Sequence, residues 1–300
     1  MNASTTISHL SNKIIKPIHS SFHFDDQLGA AFIYMKADPR PCFTIELLED
    51  LKQFEQIISE QVKLDVSQKL TPRFQYTVVA SSIPNVFNLG GDLNLFMDLI
   101  NTKNREQLHK YAVACIDVSY TMSTCMGLPI TTIALVQGSA QGGGFEAALA
   151  CNVIIAEKGS LMGFPEVLFN LFPGMGAYTY LRQRVNSALA EKIILSGKIF
   201  RAEELYEMGL VDILAEPGQG KQALHTYIKQ SKRRSNAQAL IRHTRNKYNK
   251  ISYEELLDIT TMWVDCALNI GERERKTMQR LIRAQNRKVL MESEDQQEKA

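Results

Sequence analysis

The stretch that most limits what this chain can fold into is GSAQGGGFEAALA, residues 138–150. Three consecutive glycines lie there between a β-branched run, ITTIALV (130–136), and a short segment rich in Ala and Leu. β-Branched residues favour strands and Ala and Leu favour helices, so this order predicts a strand over 130–136, a turn over 139–144 and a short helix over 145–150. Glycines at such a turn permit positive φ and close backbone approach, and the first free amides of the helix can face an anion or a polarised oxygen. Two readings follow from the segment alone: a tight turn that packs helix on strand, or an oxyanion site. A phosphate loop is excluded because no Lys-Ser or Lys-Thr pair follows, and the GxGxxG dinucleotide fingerprint is missing.

The same alternation runs along the first two thirds of the chain. LGAAFIYM (28–35), YTVVAS (76–81) and CNVIIA (151–156) read as buried strands, the first broken by DPRP at 38–41. Residues 44–61 read as a helix that Thr44 caps, with Leu47, Leu48, Leu51, Phe54, Ile57 and Ile58 recurring at spacings of three and four; 108–125 has the same period. Strands alternating with helices predict an α/β fold with parallel strands joined by crossover helices. From about 185 onward helical periods dominate, at 205–210, 221–231, 252–268 and 272–287, and only 210–214 is β-branched. The chain divides into a polar N-terminal extension (1–25), a core (26–214), a helical region (215–288) and a polar tail (289–300). No low-complexity linker separates core from helical region, which implies docking on the core or on another subunit.

With 34 basic against 32 acidic residues the net charge is +2, too small an excess to make nucleic acid the main partner. No apolar stretch approaches the roughly 20 residues that span a bilayer. The start, MNASTTISHLSNKIIKPIHSS, lacks a basic end followed by an apolar run of about 7 to 15 residues, so a cytoplasmic address is expected. Five cysteines form an odd set without CxxC or a nearby histidine pair, which argues against a disulfide framework and a zinc site. Neither a metal nor a cofactor is expected, and no GxSxG motif supports a nucleophilic triad.

A second glycine loop, VFNLGGDL (86–93), follows the strand at 76–81, and its Asp92 suits the cap of a helix beginning near Leu93. Parallel strands place their C-terminal loops at one sheet edge, where amides from two loops can converge on one oxygen. Two glutamates stand among apolar neighbours near these loops, Glu146 in GFEAALA and Glu166 in MGFPEVLF. Burial of such a carboxyl raises its pKa toward the range where it exchanges protons near neutrality. An N-terminal helix carboxylate favoured by the macrodipole explains Glu146 equally, and an exposed turn explains Glu166.

The order FNLGGDL, QGSAQGGGFEAALACNVIIAEKGSLMGFPE, LFPGMGA resembles the crotonase superfamily of enoyl-CoA hydratases and isomerases over roughly residues 28–214. The resemblance implies a spiral of ββα turns with a helical C-terminal region that forms trimers or hexamers. It also implies that the amides of Leu89 and Gly143 polarise a thioester carbonyl, and that Glu146 and Glu166 are the two catalytic acids. The loop reads NLGG where hydratases commonly have AGAD, and Leu89 takes a usually small position. With PRPCFT (39–44), FPEVLFNLFPGMGAY and the long C-terminal extension, the chain looks most like the diffusible-signal-factor synthases of bacterial quorum sensing. That resemblance implies dehydration of a medium-chain 3-hydroxyacyl thioester, on acyl carrier protein or CoA, to a cis-2-enoyl thioester, followed by hydrolysis to the free fatty acid. The alternatives are a plain enoyl-CoA hydratase or isomerase and a non-catalytic regulator binding the receiver domain of a sensor kinase.

An acyl chain needs an apolar tunnel. The candidates are Met122, Leu171, Phe172, Met175 and the single tryptophan, Trp263, with Met126, Leu168, Phe169 and Met262 beside them; ordinary core packing explains each equally. Between 229 and 250 stand eight Lys or Arg and no acid, either a solvated face or a docking site for an acidic carrier protein.

Overall fold

The computed structural model describes residues 17–36 and 40–283. The buried runs read from the sequence become the parallel strands β2 (Ala30–Met35), β3 (Tyr76–Ser81), β5 (Thr131–Val136), β7 (Val153–Glu157) and β10 (Ile213–Ala215). With β1 (Ser20–Asp25) antiparallel at its edge, they form a six-stranded sheet ordered β1-β2-β3-β5-β7-β10. The central strands are almost wholly buried because the sheet is covered on both faces, the usual condition of parallel strands.

A second sheet, ordered β4-β6-β8-β9, consists of short strands at Asn85–Asn88, Gly138–Gln141, Leu161–Gly163 and Ile199–Arg201. Each of β3, β5 and β7 is followed within a few residues by β4, β6 or β8, and then by helical structure. Those followers are α2 (Leu93–Asn101), α4 (Gly143–Ala150) and a 3₁₀ turn at Glu166–Phe169. This is the ββα spiral that the resemblance implies. Between the turns run α1 (Ile45–Ser67) and α3 (Arg105–Ser123), and Thr44 caps α1 by accepting from the Leu47 amide at 3.2 Å.

Three expectations change. The first half of the turn expected at 139–144 is strand β6, paired on both sides by β4 and β8, so tertiary pairing overrides weak strand propensity. At Gly138 a Cβ would lie 2.0 Å from the Asn85 carbonyl carbon, an approach that only glycine allows. Residues 20–25, placed in the polar extension, form β1 because Phe22 and Phe24 reach Phe54 and Phe74 at ring distances of 5.3 and 5.4 Å. The basic run contains a further helix, Ser235–Tyr248, which was not read from the sequence.

The helical remainder comprises α5 (Ala177–Arg182), α6 (Ser187–Ser196), α7 (Ala202–Glu207), α8 (Gly220–Lys232), α9 (Ser235–Tyr248), α10 (Tyr253–Ala267) and a helical segment over 272–283. Leu224 and Ile228 of α8 pack on one face of the six-stranded sheet. The other face joins α1, α3, α4, the second sheet and α10 in the larger core. Residues 1–16 of the extension, Pro39 and the tail at 289–300 lie outside the described residues. No helix among the described residues is long and apolar enough to cross a membrane.

Candidate active site

The two glycine loops meet. Asn88, at the end of β4, accepts from the Gly90 amide at 2.7 Å and gives Gly90 its left-handed turn of φ +97°. A Cβ at Gly90 would lie 2.8 Å from the Gln141 carbonyl and 3.0 Å from the Gly143 nitrogen, so the loops touch backbone to backbone. Gly144 abuts the Asn88 carbonyl at 2.0 Å by the same measure and sets the start of α4 against β4.

A strip at 41–43 pairs alongside. The Leu89 amide donates to the Pro41 carbonyl at 2.7 Å, and the Phe43 amide to Gly90 at 2.8 Å, giving a parallel bridge between Phe43 and Gly91. This corrects the expectation for Leu89, whose N–H is committed to Pro41. The amides of Gly91 and Gly143 have no acceptor among the described residues, and a Cβ at Gly143 would lie 3.4 Å from the Gly91 nitrogen. Asp92 caps α2, as expected, by accepting from the Asn94 and Leu95 amides, and Arg40 grips its carboxylate at 3.0 and 3.1 Å. The Tyr111 hydroxyl accepts from the Asp92 amide at 3.1 Å and donates to the Phe43 carbonyl, tying the strips together beside Gly91.

Glu146 stands in the first turn of α4 and is 2% exposed. Its Oε1 accepts from the amides of Met175 at 2.9 Å and Ala177 at 3.0 Å. Burial pushes its carboxyl up to about 7, while those two bonds pull it down. Glu166 opens the 3₁₀ turn after Pro165, and burial together with the charge of Glu146 pushes it up to about 8. Its Oε2 is buried with no partner among the described residues. The other oxygen lies against Gly142, where a Cβ would be 2.5 Å away and where φ is +51°. One carboxyl is held by amides and the other has an unused oxygen, so the pair can pass a proton between a ligand and itself near neutral pH.

Both glutamates and both glycine loops line one cavity of about 210 Å³. Its apolar walls include Met122, Met175 and Trp263, together with Phe169, among the residues that the sequence proposed. Leu171 and Phe172 are not in the lining. In a 3₁₀ turn residues three apart share a side, so Glu166 and Phe169 face the cavity together and Leu168 faces solvent. Asn170, at φ +57°, then redirects the chain and takes Leu171 and Phe172 into the neighbouring core. Met262 is exposed and Met126 borders a separate groove. Sequence reasoning missed Leu48, Leu51, Phe96, Ser119 and Leu281, whose helical spacing is that of any core residue.

None of Lys229, Lys232, Arg233, Arg234, Arg245, Lys247 and Lys250 lines this cavity. The helix α8 lies across the six-stranded sheet from it, and Arg245 and Lys250 border a second cavity of about 600 Å³ at the far end of α4, beside Ala150 and Cys151. Among the described residues no three His, Cys, Asp or Glu are grouped to hold a metal ion.

A family model described as enoyl-CoA hydratase/isomerase matches residues 66–285. The chain belongs to the enoyl-CoA hydratase/isomerase family. It is 32% identical over 186 residues to the mouse (Mus musculus) mitochondrial enoyl-CoA hydratase domain-containing protein 2, covering 61% of this chain and 55% of that one. It is 30% identical over 144 residues to mitochondrial methylglutaconyl-CoA hydratase of Rattus norvegicus, covering 47% and 43%. The chain thus spans about half the length of these curated relatives. Among solved structures, an enoyl-CoA hydratase from Bacillus anthracis superposes with a TM-score of 0.67 at 19% identity, covering 85% of this chain and 93% of that one. Pseudomonas aeruginosa DspI gives a TM-score of 0.64 at 22% identity, covering 91% and 99%. The family therefore shares the mixed α/β fold and helical C-terminal region seen here.

Proposed function

We propose that this protein is an acyl-thioester lyase that dehydrates a medium-chain 3-hydroxyacyl thioester to a 2-enoyl thioester and then hydrolyses it, releasing a free cis-2-unsaturated fatty acid as a cell-to-cell signal. The observation that carries the reading is the meeting, in one largely apolar cavity, of two unpaired amides with two carboxyl groups raised toward neutrality. The amides of Gly91 and Gly143 receive the thioester oxygen and stabilise the enolate that forms when the α-proton leaves. One glutamate takes that proton and the other protonates the departing hydroxyl. With carboxyls at about 7 and about 8, the pair holds one proton to give and one base to receive at neutral pH. In hydrolysis a carboxylate activates water, and the same two amides hold the tetrahedral oxyanion. The acyl chain lies along Met122, Met175 and Trp263.

On this reading the substrate arrives on acyl carrier protein or CoA, the protein works in the cytoplasm, and its helical region builds a trimer or hexamer. A plain hydratase or isomerase uses the same amides and carboxyls, and the family match favours that second reading. Mass spectrometry of purified protein with 3-hydroxyacyl carrier-protein and CoA thioesters separates them. Free 2-enoic acid, lost in Glu146→Ala and Glu166→Ala, supports the synthase; an enoyl thioester without release makes it a hydratase. No turnover at all favours a regulator that binds a sensor-kinase receiver domain.

A further inference from the structure

Thr260 lies in the middle of α10 with 0% of its surface exposed, and its hydroxyl donates to the Gly174 carbonyl at 2.8 Å. The peptide group that carries this carbonyl also carries the N–H of Met175, which donates to Glu146 Oε1 at 2.9 Å. A single amide plane therefore links hydroxyl to carboxylate. A hydrogen bond received at the carbonyl polarises the amide and strengthens donation from its N–H. The helix α10 fixes this plane from a second side, because the Trp263 ring lies so near Gly174 that a Cβ there would be 2.2 Å from Cγ. Gly176, at φ +113°, then turns the chain so that the Ala177 amide reaches the same Oε1.

We propose that Thr260 is a positioning residue for Glu146, acting through the peptide between Gly174 and Met175 to hold the bond that orients and stabilises the carboxylate. The C-terminal helix is then part of the acid–base apparatus as well as a wall of the cavity. Among the described residues, the titratable groups facing Glu146 are Cys115 of α3, Tyr180 of α5 and Glu166 of the 3₁₀ turn, and none of these is a cation. The two loop amides are therefore its counterweight to burial.

The proposal deepens the acyl-thioester reading, but its test needs no substrate. With glutamate ¹³C-labelled at the carboxyl, the Glu146 signal is identified by its loss in Glu146→Gln, and its titration midpoint is followed in the full-length chain. Thr260→Val keeps shape and removes the donor; Thr260→Ser keeps the donor. The valine variant raises the midpoint by roughly half a unit or more, because a bond to the charged form is weakened, and the serine variant stays with the wild type. With a substrate in hand, the acidic limb of kcat/KM moves with the midpoint and KM changes little. An unchanged midpoint in the valine variant, or equal shifts in both variants, overturns the role of the hydroxyl. A shifted midpoint in a protein that turns over no thioester sinks the thioester reading and leaves Thr260 as the residue that sets Glu146.

Discussion

Glu146 and Glu166 line the same cavity, yet the chain holds them in opposite ways. Glu146 sits on a helix whose start is pressed against β4, and two amides from the 173–177 loop meet one of its oxygens. Glu166 sits on a single 3₁₀ turn, leaning on Gly142, with one oxygen buried and without a partner among the described residues. The first carboxyl is oriented before any ligand arrives. The second has a hydrogen bond left to make, and an unmade bond of this kind costs about 1–3 kcal/mol in a buried site. The contrast teaches that two identical side chains in one pocket acquire different proton affinities from their surroundings: one is partly relieved by two amides, the other is relieved only by its own amide and is pushed further by its charged neighbour.

The most severe way to break the contrast is to remove either proton carrier. Glu146→Gln and Glu166→Gln are each expected to lower kcat by about 10²–10⁴-fold. The double variant is expected to fall little below the worse single one, because the two act as a unit; fully multiplicative losses in steady-state assays would show that they act independently. A gentler break displaces one partner and spares the other. Gly142→Ala puts a methyl 2.5 Å from Glu166 Oε1, too close for both to keep their places, and forces an alanine to positive φ. A misplacement of this size is expected to cost roughly 10–100-fold in kcat. The Glu146 midpoint, read by the same carboxyl label, should stay close to wild type; an equal disturbance at both glutamates would mean that the loop carries them as one.

Much of this was legible in the residues. The strands at 76–81 and 131–136, the Thr44 and Asp92 caps and the closeness of the two glycine loops follow from β-branched runs, cap chemistry and the common edge of parallel strands. What was not legible depended on register and on turns. Whether the amide of Leu89 or that of Gly91 stays free is decided by how the 41–43 strip pairs, and no local feature of NLGG records that pairing. Leu171 and Phe172 look as good a tunnel wall as Phe169 until Asn170 turns left-handed. Thr260 and Leu281 lie over a hundred residues from Glu146, on helices whose period says only that one side is buried.

The smallest expected effect sharpens the comparison through stability. A glutamate that titrates near 4.5 when unfolded and at about 8 in the fold keeps its proton in the folded chain over a window where the unfolded chain has lost it. Folding stability from Glu166 is therefore fully present below about 4.5 and is lost as pH rises through about 8. For Glu146 the window closes at about 7, because the loop amides favour its charged form. Glutamine at either position cannot ionise, so the melting temperature of Glu166→Gln should gain on wild type as pH rises from 4.5 to 9. The gain for Glu146→Gln should be smaller and complete by about pH 8. Thermal melts across that range check both, and curves that stay parallel to wild type would mean that neither carboxyl is held neutral by the fold. If Glu146→Gln shows the larger gain, the amides do not offset burial, and the distinction between the two sites falls with them.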